Sequence, residues 1–139
     1  AEFVALQWLR QHGFAAPAPI AVLEQRQLGF LVRATILTEA FPGRAADQAL
    51  RAAAPAERAT IVTAIREFVR RLHAAGFRDR NLDLRNLLVA HDERGFTIAK
   101  IDSPRHRLRR PGRVDDALAR ADWARLEPQL AAFELRAGN

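Results

Sequence analysis

Between residues 76 and 89 the chain changes character twice. A polar stretch, Arg78-Asp79-Arg80-Asn81-Leu82-Asp83-Leu84-Arg85-Asn86, is held between a long periodic segment and the apolar run Leu87-Leu88-Val89. Upstream, Ile61, Ile65, Phe68, Val69 and Leu72 recur at helical spacing. Pro55 suits the first helical position, Glu57 the positive end of the helix dipole, and Gly76 the stop, so a helix is expected over 55–75. Downstream, Asp92-Glu93-Arg94-Gly95 reads as a turn, with a second strand from Phe96 to Ile101. A hairpin placed there returns Ile101-Asp102 to the end of the polar loop.

The rest of the chain supplies a mixed architecture. Residues 2–12 read as a helix with Phe3, Leu6 and Leu9 on one face, ended by Gly13 and followed by the extended Pro17 and Pro19. Residues 20–25 and 29–37 read as adjacent strands turning at Leu28-Gly29. Thr38 to Gly43 is a connector and 45–52 a short helix. Residues 103–114 are basic and contain proline. Asp115 begins a last helical region, which Pro128 is expected to break in two. The order of elements is that of an α+β fold.

Composition narrows the functions. Hydrophobic residues make up 49% and charged residues 27% of the 139, enough for a packed core. The chain has no cysteine, which excludes disulfides, zinc–thiolate sites and thiol catalysis. No apolar run reaches the roughly 18 residues of a membrane span, and no secretory signal is visible. There is no methionine, even at position 1, so the chain is expected to begin inside a longer gene product or to be processed. Of 22 basic residues only Lys100 is lysine, and the net charge is +6. That charge fits either an anionic partner or a compositional bias toward arginine and alanine. The densest cluster is Arg105, His106, Arg107, Arg109, Arg110 and Arg113, which is either a solvated loop or a contact for phosphorylated lipid or sugar. Near an anionic leaflet each such charge contributes about 1 kcal/mol. No aromatic residues interleave with the arginines and no helix-turn-helix signature stands out, which argues against nucleic acid.

Two oxygen-bearing side chains carry the chemistry. Asn86 offers an amide carbonyl and Asp102 a carboxylate, and a hairpin between them can bring the two face to face. Mg²⁺ takes hard oxygen ligands, a few from protein and the rest from phosphates and water. The loop resembles the protein-kinase pattern H-R-D-L-x-x-x-N, which also follows a long helix and precedes a hairpin. Arg80, Leu82 and Asn86 match it in spacing, and Asp102 stands where kinases place the Asp of D-F-G.

More specifically, the chain resembles the lipopolysaccharide kinase family, the Kdo/WaaP group. The marks are Leu37-Thr38-Glu39-Ala40-Phe41-Pro42-Gly43, Leu72-His73-Ala74-Ala75-Gly76-Phe77 and Ile101-Asp102-Ser103-Pro104-Arg105. The resemblance implies a protein-kinase-like fold. Residues 1–43 would be a partial N-lobe and hinge lacking its first strands, and 44–139 a mainly helical C-lobe. It implies ATP at the hinge residues Thr38, Glu39 and Ala40, and Mg²⁺ at Asn86 and Asp102. Glu2, on the first helix, would pair with a phosphate-binding lysine. The acceptor would be a sugar or lipid-linked sugar, such as a heptose or Kdo of lipid A–core. The protein would be cytoplasmic, and peripheral to the inner membrane through Arg105, Arg107, Arg109, Arg110 and Arg113.

The pattern breaks at three points. The catalytic-Asp position holds Asn81, whose amide cannot accept a hydroxyl proton; losing a general base costs on the order of 10²–10⁴ in rate. The His position holds Asp79, and no glycine-rich phosphate loop or phosphate-binding lysine is present in these residues. Residues two apart in an extended loop face the same side, so Asp79, Asn81 and Asp83 are expected to share a face, with Asp83 or Asp79 as a substitute base. The alternatives are an Asn81 that binds substrate while catalysis is slow, a pseudokinase, and a basic helical module for anions or nucleic acid. His73 is expected to cap or pack at the end of the long helix, and Trp8 and Trp123 to join the core.

Overall fold

A computed structural model describes residues 1–137. The first helix, α1 (Glu2–Gln11), buries Ala5, Leu6 and Leu9 and leaves Phe3 at the margin. Two strands follow, β1 (Pro19–Gln27) and β2 (Phe30–Thr38), paired antiparallel. Leu28 and Gly29 turn between them with φ of 50° and 85°. Two consecutive positive φ values are what a two-residue hairpin needs to match the strand twist.

After the connector come β3 (Arg44–Ala45), α2 (Ala46–Ala52) and α3 (Pro55–Ala74). The polar loop contains β4 (Phe77–Arg78) and a 3₁₀ turn at Leu84–Asn86, and leads into the hairpin β5 (Leu87–Asp92) and β6 (Gly95–Lys100). The basic segment holds β7 (Arg107–Leu108), and α4 (Ala117–Ala137) closes the described chain. Residues 138–139, the end of the expected C-lobe, lie outside the described residues. The strands form three sheets: β1–β2, β3–β5–β6 and β4–β7. The strands β3, β4 and β7 were not expected; each has two residues, too few to carry a periodic signal.

The core lies between α3, α4, α1 and the β5–β6 hairpin. Ile61, Val62, Ile65, Phe68, Val69 and Leu72 of α3 pack with Leu87, Val89 and Ile98 of the hairpin and Leu126 and Leu130 of α4. Full burial of a side chain of this kind contributes about 1.5–3 kcal/mol relative to exposure. The segment after α1 lies along β6, where the Lys100 N–H donates to the Ala15 carbonyl at 3.1 Å and Ala15 bridges Ala99 in parallel. That contact ties α1 to the strand ending at the candidate site.

Pro128 does not break the last helix: α4 runs through it. Side-chain bonds hold the helix together across the proline. Arg66 of α3 donates to both Glu127 (2.9 Å) and Glu134 (2.5 Å), one on each side of the proline. The Gln129 side chain donates to the Arg125 carbonyl at 3.0 Å. Packing of Leu126 and Leu130 fixes both halves against the core, which outweighs the usual cost of an interior proline.

Glycine 76 ends α3 with φ +97°, and a Cβ there would lie 2.2 Å from the Arg109 carbonyl oxygen. The Arg109 N–H donates to the Gly76 carbonyl at 2.7 Å, and the Gly112 N–H to Ala74 at 2.8 Å. The basic segment is thereby seated on the end of α3. The β1–β2 hairpin differs from the rest: Leu28 is 93% and Phe30 78% exposed, and Ile20, Leu23, Leu31 and Val32 are also open.

Candidate functional site

The polar loop is held from below before it presents anything to solvent. Arg78 is fully buried and donates to Asp116 (3.1 Å) and to the carbonyls of His73 (2.9 Å), Phe77 (3.1 Å) and Arg113. A buried guanidinium needs this set of acceptors to offset its lost hydration. Asp122 of α4 accepts the N–H groups of Asp79 (3.1 Å) and Arg80 (3.0 Å), and its Oδ2 is 3.0 Å from His73 Nε2. His73, expected to cap or pack at the end of the long helix, is buried there and bonded to Asp122. Trp123 packs edge-on against it and is partly buried, as is Trp8 against the core.

The next residue, Arg80, has φ +63°, and Asp102 has φ +56°. Left-handed backbone is uncommon for non-glycine residues and concentrates where the surroundings force a side chain into position. The turn at Arg80 ends the simple alternation, so Asp79, Asn81 and Asp83 meet three different partners. Asp79 pairs with Lys100 at 3.3 Å. Asn81 Nδ2 donates toward the Asp102 side chain (3.3 Å) and carbonyl (3.5 Å). Asp83 accepts from the backbone and side chain of Arg85 at 3.0 and 3.1 Å, with Arg125 at 3.7 Å.

Asn86 and Asp102 are joined through Asn81. Asn86 Nδ2 donates to the Asn81 carbonyl at 3.1 Å, which leaves its Oδ1 to face away from that bond. The Ile101 N–H donates to the Asn86 carbonyl at 3.0 Å. Asp102 is exposed, while Asn81 and Asn86 are half-buried. Glu2 completes the group: one carboxylate oxygen accepts the Asp102 N–H at 2.8 Å and the other accepts the Ser103 N–H. Glu2 thus clamps the backbone that carries Asp102. At the hinge, Thr38 ends β2, Glu39 and Ala40 are exposed, and the Glu39 N–H donates to the Ala18 carbonyl at 2.9 Å.

The electrostatics follow from these contacts. Burial pushes the Asp79 carboxyl up, against the lowering effect of Lys100, and burial pushes the Lys100 ammonium down, against the raising effect of Asp79. For Asp83, partial burial is outweighed by the hydrogen bonds from Arg85, and its carboxyl lies below the usual range. Among the described residues no group of three or more His, Cys, Asp or Glu gathers as a metal cage. One carboxylate and one free amide oxygen suit a hard cation that takes its remaining ligands from phosphates and water. Among the described residues no helix is long and apolar enough to cross a membrane.

Spacing nominated Asn81, Asn86 and Asp102, which the fold brings together. It missed Asp122, Arg78 and Lys100, whose partners lie far away in sequence. Lys100 alone carried a signal, as the single lysine of the chain.

Comparison with solved structures bears on the fold. WaaP in complex with acyl carrier protein matches with a TM-score of 0.71 at 20% identity, over 98% of this chain and 64% of that one. The Rio2 kinase from Chaetomium thermophilum, as an ADP/Mg²⁺–phosphoaspartate complex, matches with a TM-score of 0.69 at 21% identity, over 97% of this chain and 37% of that one. A second Rio2 structure from the same organism gives 0.64 at 20% identity, over 98% and 38%. The chain thus spans less than two thirds of each of these proteins, and its fold is protein-kinase-like. No curated protein matches it. The model of the lipopolysaccharide kinase (Kdo/WaaP) family matches residues 1–134, and the chain belongs to that family.

Proposed function

We propose that this chain forms the hinge and metal-binding part of an ATP-dependent phosphotransferase acting on a sugar hydroxyl of lipopolysaccharide. The observation that carries the reading is the Asn81–Asn86–Asp102 group, with Glu2 clamping the backbone of Asp102. Family membership supports the substrate class, and the ADP/Mg²⁺ complex of Rio2 supports the nucleotide and the metal. Asp102 and the Asn86 amide oxygen would hold Mg²⁺, which supplies positive charge against the phosphates when bound. Thr38, Glu39 and Ala40 meet the nucleotide base; since the Glu39 N–H is already engaged, the contact runs through its carbonyl and its neighbours. The phosphate-cradling loop and the phosphate-binding lysine lie outside these residues in this reading. The open β1–β2 hairpin is the edge they would extend.

Asn81 orients the acceptor hydroxyl. Asp79 and Asp83 serve the scaffold, because Lys100 and the arginines at 85 and 125 already occupy them. Phosphoryl transfer passes through a loose transition state in which positioning matters more than proton removal. The amide at position 81 also supports a second reading, a pseudokinase that binds nucleotide without transfer. Arg105, Arg107, Arg109, Arg110 and Arg113 are exposed and suit an anionic leaflet, which would make the protein cytoplasmic and peripheral to the inner membrane.

The test uses the full-length gene product with labelled ATP and lipid A–core acceptor. The reading expects label in the acceptor, lowered at least about a hundredfold by Asp102→Asn, in the range typical of a removed charge-stabilising group. Mg²⁺–ATP binding without transfer selects the pseudokinase reading. Neither binding nor transfer overturns both.

A further inference from the structure

Lys100 is the single lysine among 22 basic residues, and its side chain is 0% exposed. It stands two residues before Asp102, at the end of β6. Its ammonium donates to the Asn86 carbonyl at 3.3 Å and to the Ile101 carbonyl, and forms an ion pair with Asp79 Oδ2 at 3.3 Å. An ammonium has three rotatable donors on a compact head, and this pocket offers three oxygens. A guanidinium is larger, planar and fork-shaped, which explains why a chain so biased toward arginine keeps a lysine here.

The three oxygens come from three places: the loop residue before the strained Arg80, the metal-candidate residue of the 3₁₀ turn, and the residue just ahead of Asp102. Asp79 is 2% exposed and is fixed in turn by its N–H bond to Asp122 at 3.1 Å. Ser103, also buried, lies on the far side of Asp102 and is held there by Glu2. Asp102 is thus gripped from both flanks, by Glu2 through the N–H groups of residues 102 and 103 and by Lys100 through the carbonyl of residue 101.

We propose that Lys100 and Asp79 form a buried positioning pair that fastens the Asn86 turn to the Asp102 strand end and so sets the separation of the two oxygen donors. The inference rests on the reading of Asn86 and Asp102 as the metal pair, but its structural half stands apart from any ligand. It also accounts for Asp79 at a position where the kinase pattern has His. The acid is matched to the lysine across the loop, rather than lost from a catalytic set.

Removing one partner alone leaves an uncompensated buried charge and risks unfolding, whereas replacing both by apolar residues of similar size is often nearly neutral. The test is therefore Asp79→Leu/Lys100→Met in the full-length protein, beside wild type and Lys100→Arg. Amide hydrogen exchange by NMR is read at Ile101 and Asp102 and, as reference, at Val89 and Ile98. The double variant is expected to keep the reference protection and lose at least about tenfold at residues 101 and 102. In Mg²⁺–ATP titrations its apparent metal affinity is expected to fall about tenfold or more, as measured for lost outer-shell partners of metal ligands. Lys100→Arg should not restore wild-type protection. If the amides at 101 and 102 keep full protection in a folded double variant, the positioning pair is refuted. A folded double variant that loses protection at 101 and 102 while wild type binds no Mg²⁺–ATP sinks the metal reading instead, and leaves the fastening role standing.

Discussion

An amide at position 81 donates to Asp102, and a carboxylate there would repel it. Asn81→Asp is therefore expected to behave in two ways at once. Without metal it should lower the melting temperature, by an amount equivalent to about 1 kcal/mol for a lost hydrogen bond and an added like charge. With Mg²⁺ and ATP that loss should be recovered, because a cation between two carboxylates reverses the sign of the interaction. A variant whose melting temperature ignores Mg²⁺ would count against a cation at this position. Spacing in the loop and the return of the hairpin nominated Asn81, Asn86 and Asp102, which the fold joins by hydrogen bonds. Lys100 and Asp122 were illegible as site residues because a single charge in a strand or helix does not announce which distant group it will meet.

Elements that bury a continuous stripe were legible almost to the residue, as α3 shows between Pro55 and Ala74. The two-residue strands were not, and neither was the continuity of α4 through Pro128, which Arg66 spans from a neighbouring helix. At the start of α4, Asp116 accepts the Ala119 N–H at 2.8 Å and binds the buried Arg78. The Ala119 bond above all, and then Arg78, hold its carboxyl down to about 2, below the ordinary 3.8. A carboxyl depressed in the folded state stabilises above its unfolded value, and that contribution is lost as pH falls through the folded one. Asp116→Asn is thus expected to melt lower than wild type at neutral pH, with the gap closing between about pH 4 and pH 2. Thermal denaturation across that range checks it; a gap that stays constant would mean that the charge of Asp116 does not matter to the cap.

At the scale of the molecule the chain is unevenly finished. The helical part has a continuous core, a pinned loop and a seated basic segment, while the β1–β2 hairpin leaves apolar side chains of both strands open. The α+β class was legible because helical and strand periodicities occur in separate blocks. What the hairpin packs against was not legible, since its exposed residues look the same in sequence whether a neighbour covers them or not. The central claim is that Asn86 and Asp102 share a cation beside a nucleotide. The most direct measurement is an anomalous difference map from crystals of the full-length protein grown with Mn²⁺ and a non-hydrolysable ATP analogue. The account predicts a peak within metal–oxygen bonding distance of both Asn86 Oδ1 and the Asp102 carboxylate. A nucleotide bound with its metal at other side chains, leaving these two oxygens bare, would contradict it.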